Sequence, residues 1–243
     1  MISIICPYNN REVLYHALLN SLKNQQGVSY ELITINANEH GFLSASETLN
    51  YAGRKATGDY LIFVHQDVIF ESRYVLREIY SLCTQYDFGI AGVAGCVKTD
   101  GIIQVISKIH HGGERQLAGS ISNFNIPQTV DSLDECLLII PKDVFTLFAF
   151  SDIGKTWHLY GTDYSLKMKI NCRSVLVFPI NFWHLSDGFS LNLNYYHSVF
   201  RLVDLYKKHF KEIITIYGTW PTQKSRLLVK LLYRELRFWV RGN

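Results

Sequence analysis

A chain of 243 residues, 48% hydrophobic and 19% charged, is long enough for one large α/β domain and too apolar to be disordered. Its formal net charge of +3 hides an asymmetry: residues 224–243 carry six basic side chains and one acid, which leaves the body at about −2. A body that is not basic argues against nucleic acid as a partner.

The five cysteines (Cys6, Cys83, Cys96, Cys136, Cys172) are odd in number and lack Cys-x-x-Cys spacing, which fits a reduced setting better than a disulfide framework or a zinc site. Residues 2–6 enter a strand at once, without the pattern of a signal peptide, and no apolar run approaches the ~20 residues of a membrane-spanning helix. The expectation is a cytoplasmic protein, free or peripheral on the inner membrane.

In chain order, apolar periodicity predicts a strand at 2–6, a helix at 12–24, a strand at 31–36, a helix at 44–56, a strand at 60–64, a helix at 73–86 and a strand at 89–97. That alternation implies a mostly parallel, doubly wound sheet. Lys98-Thr99-Asp100-Gly101 carries a hairpin signal, so 102–107 should return antiparallel. Residues 112–128 read as a long loop, 133–140 as a strand, a helix begins near Thr162, and 174–178 is a strand ended by Pro179. Beyond Ser190 the pattern is helical. The segment 222–241 is amphipathic, with Arg226, Lys230, Arg234, Arg237 and Arg241 opposite Leu227, Leu228, Leu231, Leu232, Leu236 and Trp239.

Asp67 closes the buried strand Tyr60-Leu61-Ile62-Phe63-Val64-His65-Gln66-Asp67, so its carboxylate emerges where open α/β sheets bind ligands. Its simplest alternative is a cap for the next helix. Four further motifs accompany it: Pro7-Tyr8-Asn9-Asn10, Asn50 with Ala56-Thr57-Gly58-Asp59-Tyr60, Tyr160-Gly161-Thr162-Asp163, and Trp183-His184. Each is weak alone, but together, in order and spacing, the five give a specific signature.

From Ile2 to about Ser190 the chain resembles the family 2 glycosyltransferases of GT-A fold, in a bacterial branch that writes the usual Asp-x-Asp as His65-Gln66-Asp67. The resemblance implies a Rossmann-like sheet with a small antiparallel part and C-terminal helices. It divides the chain into a donor half (1–100), an acceptor half (101–189) and a helical segment (190–243). It also implies a nucleotide pocket from Pro7, Tyr8, Asn9, Asn36, Asn50, His65 and Gln66, and Mn²⁺ or Mg²⁺ held by Asp67 and His184, with residues 187–190 as a lid. Asp134, Trp157 and Trp183 would contact the acceptor, and Asp163 would be the general base, with Glu135 as the rival. Capping is the plainer reading of Asp163, and interior packing of His184. Adjacent His110 and His111 would face opposite ways on a strand, which argues against a metal pair.

The implied activity is inverting transfer from a nucleotide diphosphate sugar, with UDP favoured by family usage, to a surface glycan or lipid-linked glycan. The rivals are a sugar nucleotidyltransferase, which would show a glycine-rich basic loop where Pro7-Tyr8-Asn9-Asn10-Arg11 stands, and a non-catalytic sugar-binding module. The basic tail suits an anionic membrane surface, and its apolar face suits equally well packing on the domain or a homodimer.

Overall fold

The computed structural model describes residues 1–186 and 193–240. The expected lid at 187–190, Arg241 and the side chain of Trp239 lie outside what is described.

The central sheet has seven strands, numbered here in chain order: β1 (Ile2–Tyr8), β2 (Tyr30–Asn36), β3 (Tyr60–Val64), β4 (Ile90–Gly92), β5 (Gln128–Thr129), β6 (Leu137–Pro141) and β7 (Val175–Val177). Their spatial order is β5-β7-β4-β6-β3-β1-β2. β1 runs parallel to both β2 and β3, β6 lies antiparallel between β3 and β4, and β7 is parallel to β4. The sheet is therefore mixed: parallel in its first half and interrupted by β6.

The chain leaves β1 for β2 on one side and returns to β3 on the other. The helical segment 11–22, with a π-helical stretch at Tyr15–Leu19, buries Leu14, Leu18 and Leu22 against one face. The Ala45–Lys55 helix, capped by Ser44, buries Ala45, Leu49 and Ala52 against the other. Two cores thus sandwich the sheet, and the reversal at β1 opens a crevice at the carboxyl ends of β1 and β3, where such folds bind ligands.

Two expected strands break where the sheet changes. The predicted 89–97 strand is β4 plus Ala94–Thr99, which turns at Asp100-Gly101 and pairs antiparallel with Ile102–Ser107. The predicted 133–140 strand is Ser132–Leu133, paired with Ala94–Thr99, and then β6 in the central sheet. Asp134 and Glu135 do not open a strand, as expected from sequence, but occupy the crossover between two sheets. A further correction concerns 207–221, where a hairpin (Glu212–Thr215, Gly218–Pro221) stands in place of continuous helix.

The C-terminal segment packs onto residues 153–166. A third core joins Ile153, Leu159 and Leu166 to Tyr195, Val199, Leu202, Tyr206, Trp220, Leu227 and Leu231. Lys98 bridges Glu212 at 2.6 Å, and the Ser132 hydroxyl donates to the Ile214 carbonyl. Among the described residues no helix is long and apolar enough to cross a membrane.

The Ala56-Thr57-Gly58-Asp59 motif sits at the opposite end of the sheet from the crevice and holds the strands in place. Glu31 accepts from the Thr57 amide and hydroxyl, and the Gly58 amide donates to Ser3 Oγ at 2.7 Å. A Cβ on Gly58 would stand 2.7 Å from the Ser3 backbone nitrogen. Gly58→Ala should therefore cost roughly 1–3 kcal/mol of stability by overpacking two central strands, read as a lower denaturant midpoint; an unchanged midpoint would show that this contact yields.

Candidate active site

At the carboxyl end of β1, the turn Pro7–Asn10 is held by Gln66. The Asn9 and Asn10 amides both donate to Gln66 Oε1, at 3.1 and 3.0 Å, and Gln66 Nε2 donates to Asn9 Oδ1 at 2.7 Å. Gln66 thus spends its amide positioning the turn. Tyr8 lies level with Asn36, since β1 and β2 pair Tyr8 with Asn36. Asn36 Oδ1 accepts from the Asn38 amide, and its Nδ2 donates to Glu39.

Asp67 follows β3, and His184 reaches it because Val68–Ile69 pairs antiparallel with Trp183–His184, setting His184 opposite Val68. The Leu185 amide donates to the Asp67 carbonyl at 3.0 Å, which locks the two segments together. One ligand atom each from His65, Asp67 and His184 lie within 4.8 Å of one another. His184 Nε2 is 3.3 Å from Asp67 Oδ1 without hydrogen-bond geometry, and it is the buried side-chain atom left without a hydrogen-bond partner among the described residues. Protonated, His184 forms an ion pair with Asp67; deprotonated, the same nitrogen can offer its lone pair to a cation. Two imidazoles and one carboxylate form a donor set that fits a divalent cation, with more affinity for Mn²⁺ than an all-oxygen site would have.

The charges are mutually adjusted. Burial alone would raise the Asp67 carboxyl, but His184 and His65 beside it more than offset this and leave it lowered. Burial pushes the His65 imidazole down to about 4, with His184 adding to the effect. Burial would also lower His184, yet Asp67 and Asp134 outweigh it and leave it raised. His110 and His111 lie on a neighbouring strand parallel to Trp183–His184 and join no ligand group among the described residues.

Away from Asp67, His65 Nε2 shares a 3.0 Å hydrogen bond with the Tyr160 hydroxyl, which also donates to the Glu135 carbonyl. The Glu135 carboxyl lies by the backbone amides of Leu159 and Gly161 at the start of the Tyr160–Ile170 helix, which favour its ionised form. Leu159 takes a left-handed φ of 66° to enter that helix. Even with these donors the Glu135 carboxyl is held well above the usual range, first by burial and then by the charge of Asp134. Asp134 is itself raised by burial.

Asp163 requires a correction. The residue is 0% exposed, because its helix is wedged between the central sheet and the C-terminal segment. Its Oδ2 accepts from the Ser151 amide at 3.0 Å and its Oδ1 from the Tyr206 hydroxyl at 2.7 Å, with Lys167 Nζ 3.8 Å away. Enclosed and satisfied on both oxygens, it has no path to an acceptor hydroxyl. An acid does stand at the start of this helix, but it is Glu135, delivered from the sheet crossover.

The Asn50 side chain is engaged by backbone. Its amide forms a closed pair with the Phe150 backbone, 2.9 Å in each direction. Trp183 donates to the Gly112 carbonyl and carries Arg115 over its ring at 4.1 Å, so one of its faces is taken. Trp157 is 43% exposed. Sequence reasoning assigned no role to Tyr160, though it was part of a quoted motif, and none to Tyr217, which reaches towards Asp134 and Glu135 from the tip of the unexpected hairpin. There Asp134 and Glu135 add to the burial that raises its hydroxyl.

The sequence profile described as "Glycosyltransferase like family" matches residues 3–202. The chain belongs to that family. Its fold is that of the GT-A glycosyltransferases, as the solved structures similar to it show. TarS 1–349 of S. aureus aligns with a TM-score of 0.58 at 15% identity, covering 84% of this chain and 64% of that one. The mannosyltransferase PcManGT from Pyrobaculum calidifontis, solved with GDP-Man and Mn²⁺, gives 0.53 at 13% identity, covering 85% and 63%. GalNAc-T7, solved with UDP, GalNAc and Mn²⁺, gives 0.57 at 10%, covering 85% and 47%. The chain thus spans less than two thirds of each of these neighbours. No curated protein matches its sequence.

Asp163→Ala should act on the fold. Losing the carboxylate leaves the Ser151 N–H without its acceptor, a loss of about 1–3 kcal/mol that thermal and denaturant unfolding should show.

Proposed function

We propose that the protein is an inverting glycosyltransferase that moves one sugar from a nucleoside diphosphate sugar, UDP-linked, to a hydroxyl of a bacterial surface glycan carried on a lipid. The observation that carries this reading is the pairing, at one end of the sheet, of a His-Asp-His ligand group having an orphaned buried nitrogen with a carboxyl of raised pKa at a helix start. The choice of UDP is supported by TarS 1–349, solved in complex with UDP-GlcNAc. The surface-glycan acceptor rests on the resemblance of the motifs to enzymes of bacterial polysaccharide assembly.

In this reading Tyr8 covers the base, and the turn fixed by Gln66 sets the nucleotide at the carboxyl ends of β1 and β3. Asp67, His65 and His184 would hold Mn²⁺ or Mg²⁺, which when bound neutralises the charge of a leaving diphosphate. Trp157 offers its exposed face to a sugar. Glu135 accepts the proton of the acceptor hydroxyl as its oxygen bonds to the anomeric carbon and the bond to the diphosphate breaks on the opposite side. A base with a raised pKa is better matched to this task near neutral pH than an ordinary carboxylate. Burial, and then Asp134 beside it, raise its affinity for the proton.

Glu135→Gln should lower turnover of UDP-sugar by roughly 10² to 10⁴ with little change in donor KM. Because only the deprotonated carboxylate is a base and its pKa is raised, kcat of the parent should climb with pH to a plateau reached above the usual carboxylate range; a profile already flat at pH 5 would remove Glu135 from the role. Asp67→Ala should abolish Mn²⁺-dependent binding of UDP in calorimetry while leaving the unfolding midpoint near that of the parent. Unchanged UDP affinity in that variant would remove Asp67 from the donor site.

A further inference from the structure

The C-terminal Lys224–Val240 helix resolves a choice that its sequence leaves open. Leu227 and Leu231 are 1% and 8% exposed and belong to the third core, so one apolar edge packs on the domain. Leu228, Val229, Leu232, Tyr233 and Leu236 are 43–69% exposed and point away from it. At 3.6 residues per turn these five side chains cover an arc of roughly 140°. Arg226 and Arg237 are exposed along one edge of that arc. Lys230 turns inward instead, its Nζ donating to the Thr219 carbonyl and lying over Trp220.

We infer that this outward face docks the protein on an anionic lipid surface, with the exposed leucines inserted among the acyl chains and the basic rim on the headgroups. Charge decides between occupants. The helix carries five basic residues and one acid, Glu235, so a second copy apposed through the same face would bring two basic rims together, whereas a sheet of anionic headgroups neutralises them. A broad apolar arc edged by Arg on a helix too polar to span a bilayer is the pattern of an interfacial helix. The inference is independent of which sugar or acceptor the active site takes.

Deleting the helix would remove Leu227 and Leu231 and uncover the third core they pack on, so point variants of the full chain are the sound test. Full-length protein should co-sediment at low salt with vesicles of phosphatidylcholine and phosphatidylglycerol at least about tenfold better than with phosphatidylcholine alone, and high salt should release it. Leu232→Glu/Leu236→Glu and Arg226→Glu/Arg237→Glu should each weaken that binding about tenfold or more, through insertion and through charge respectively, with unfolding midpoints unchanged. The proposal fails if the parent ignores anionic vesicles, or if both double variants bind as the parent does. It also fails if sedimentation equilibrium finds a dimer that Leu232→Glu/Leu236→Glu splits into monomers, since a second copy would then own this face.

Discussion

The short antiparallel pairing of Val68–Ile69 with Trp183–His184 is the constraint on which the site depends. Asp67 and His184 are more than a hundred residues apart in sequence, and each alone would be an unremarkable polar group at a strand end. Backbone hydrogen bonds to either side bring Nε2 to 3.3 Å from the carboxylate, and they do so in a place where neither group is well solvated. The contact is an ion pair while His184 is protonated, and once the proton leaves, imidazole and carboxylate stand together as donors to a cation.

Two carboxylates compete for attention around the Tyr160–Ile170 helix, and the physics separates them. Asp163 has donors on both oxygens and no exposure, so its charge serves to tie the helix to Ser151 and to Tyr206 of the C-terminal segment. Glu135 also has backbone donors but remains hard to ionise, because burial and Asp134 act against it. One acid is spent on structure and the other is held near the point of taking a proton. Environment, not residue type, makes that distinction.

The same reasoning explains what was legible in the sequence. The alternating first half could be read because strands buried on both faces are continuous apolar runs, and the helices between them keep a clean period. The crevice residues His65, Gln66 and Asp67 followed from that, since the end of a buried strand is fixed by the run that precedes it. The sheet switches at Val93 and between Leu133 and Leu137 were hidden, because an apolar run does not say which sheet it joins. Asp163 misled for a related reason: an Asp in the first turn of a helix has one appearance in sequence whether it caps, catalyses or is sealed beneath another segment. For Gln66 and Asn50 the residue types were right for ligand contact, but their amides are satisfied by backbone that lies far away in sequence. The 212–221 hairpin was overlooked although Ile213 and Thr215 alternate inward and Gly218, with φ of 149°, stands beside the turn.

The overlooked hairpin also changes how the C-terminal segment relates to the chemistry. Tyr217 lies at its tip against the charges of Asp134 and Glu135, Trp220 and Ile213 lie in the third core, and the same core receives Leu227 and Leu231 from the last helix. Tyr206 carries the connection on to Asp163 and hence to the helix whose first amides face Glu135. A segment that sequence periodicity separates from residues 1–189 is therefore packed into them. Burial of that kind is cooperative: each apolar side chain in the third core is stabilising only while its neighbours stay in place. The inner edge of the last helix cannot leave without loosening the packing around that helix start, which is why the free chemistry of the last helix is confined to its outer face.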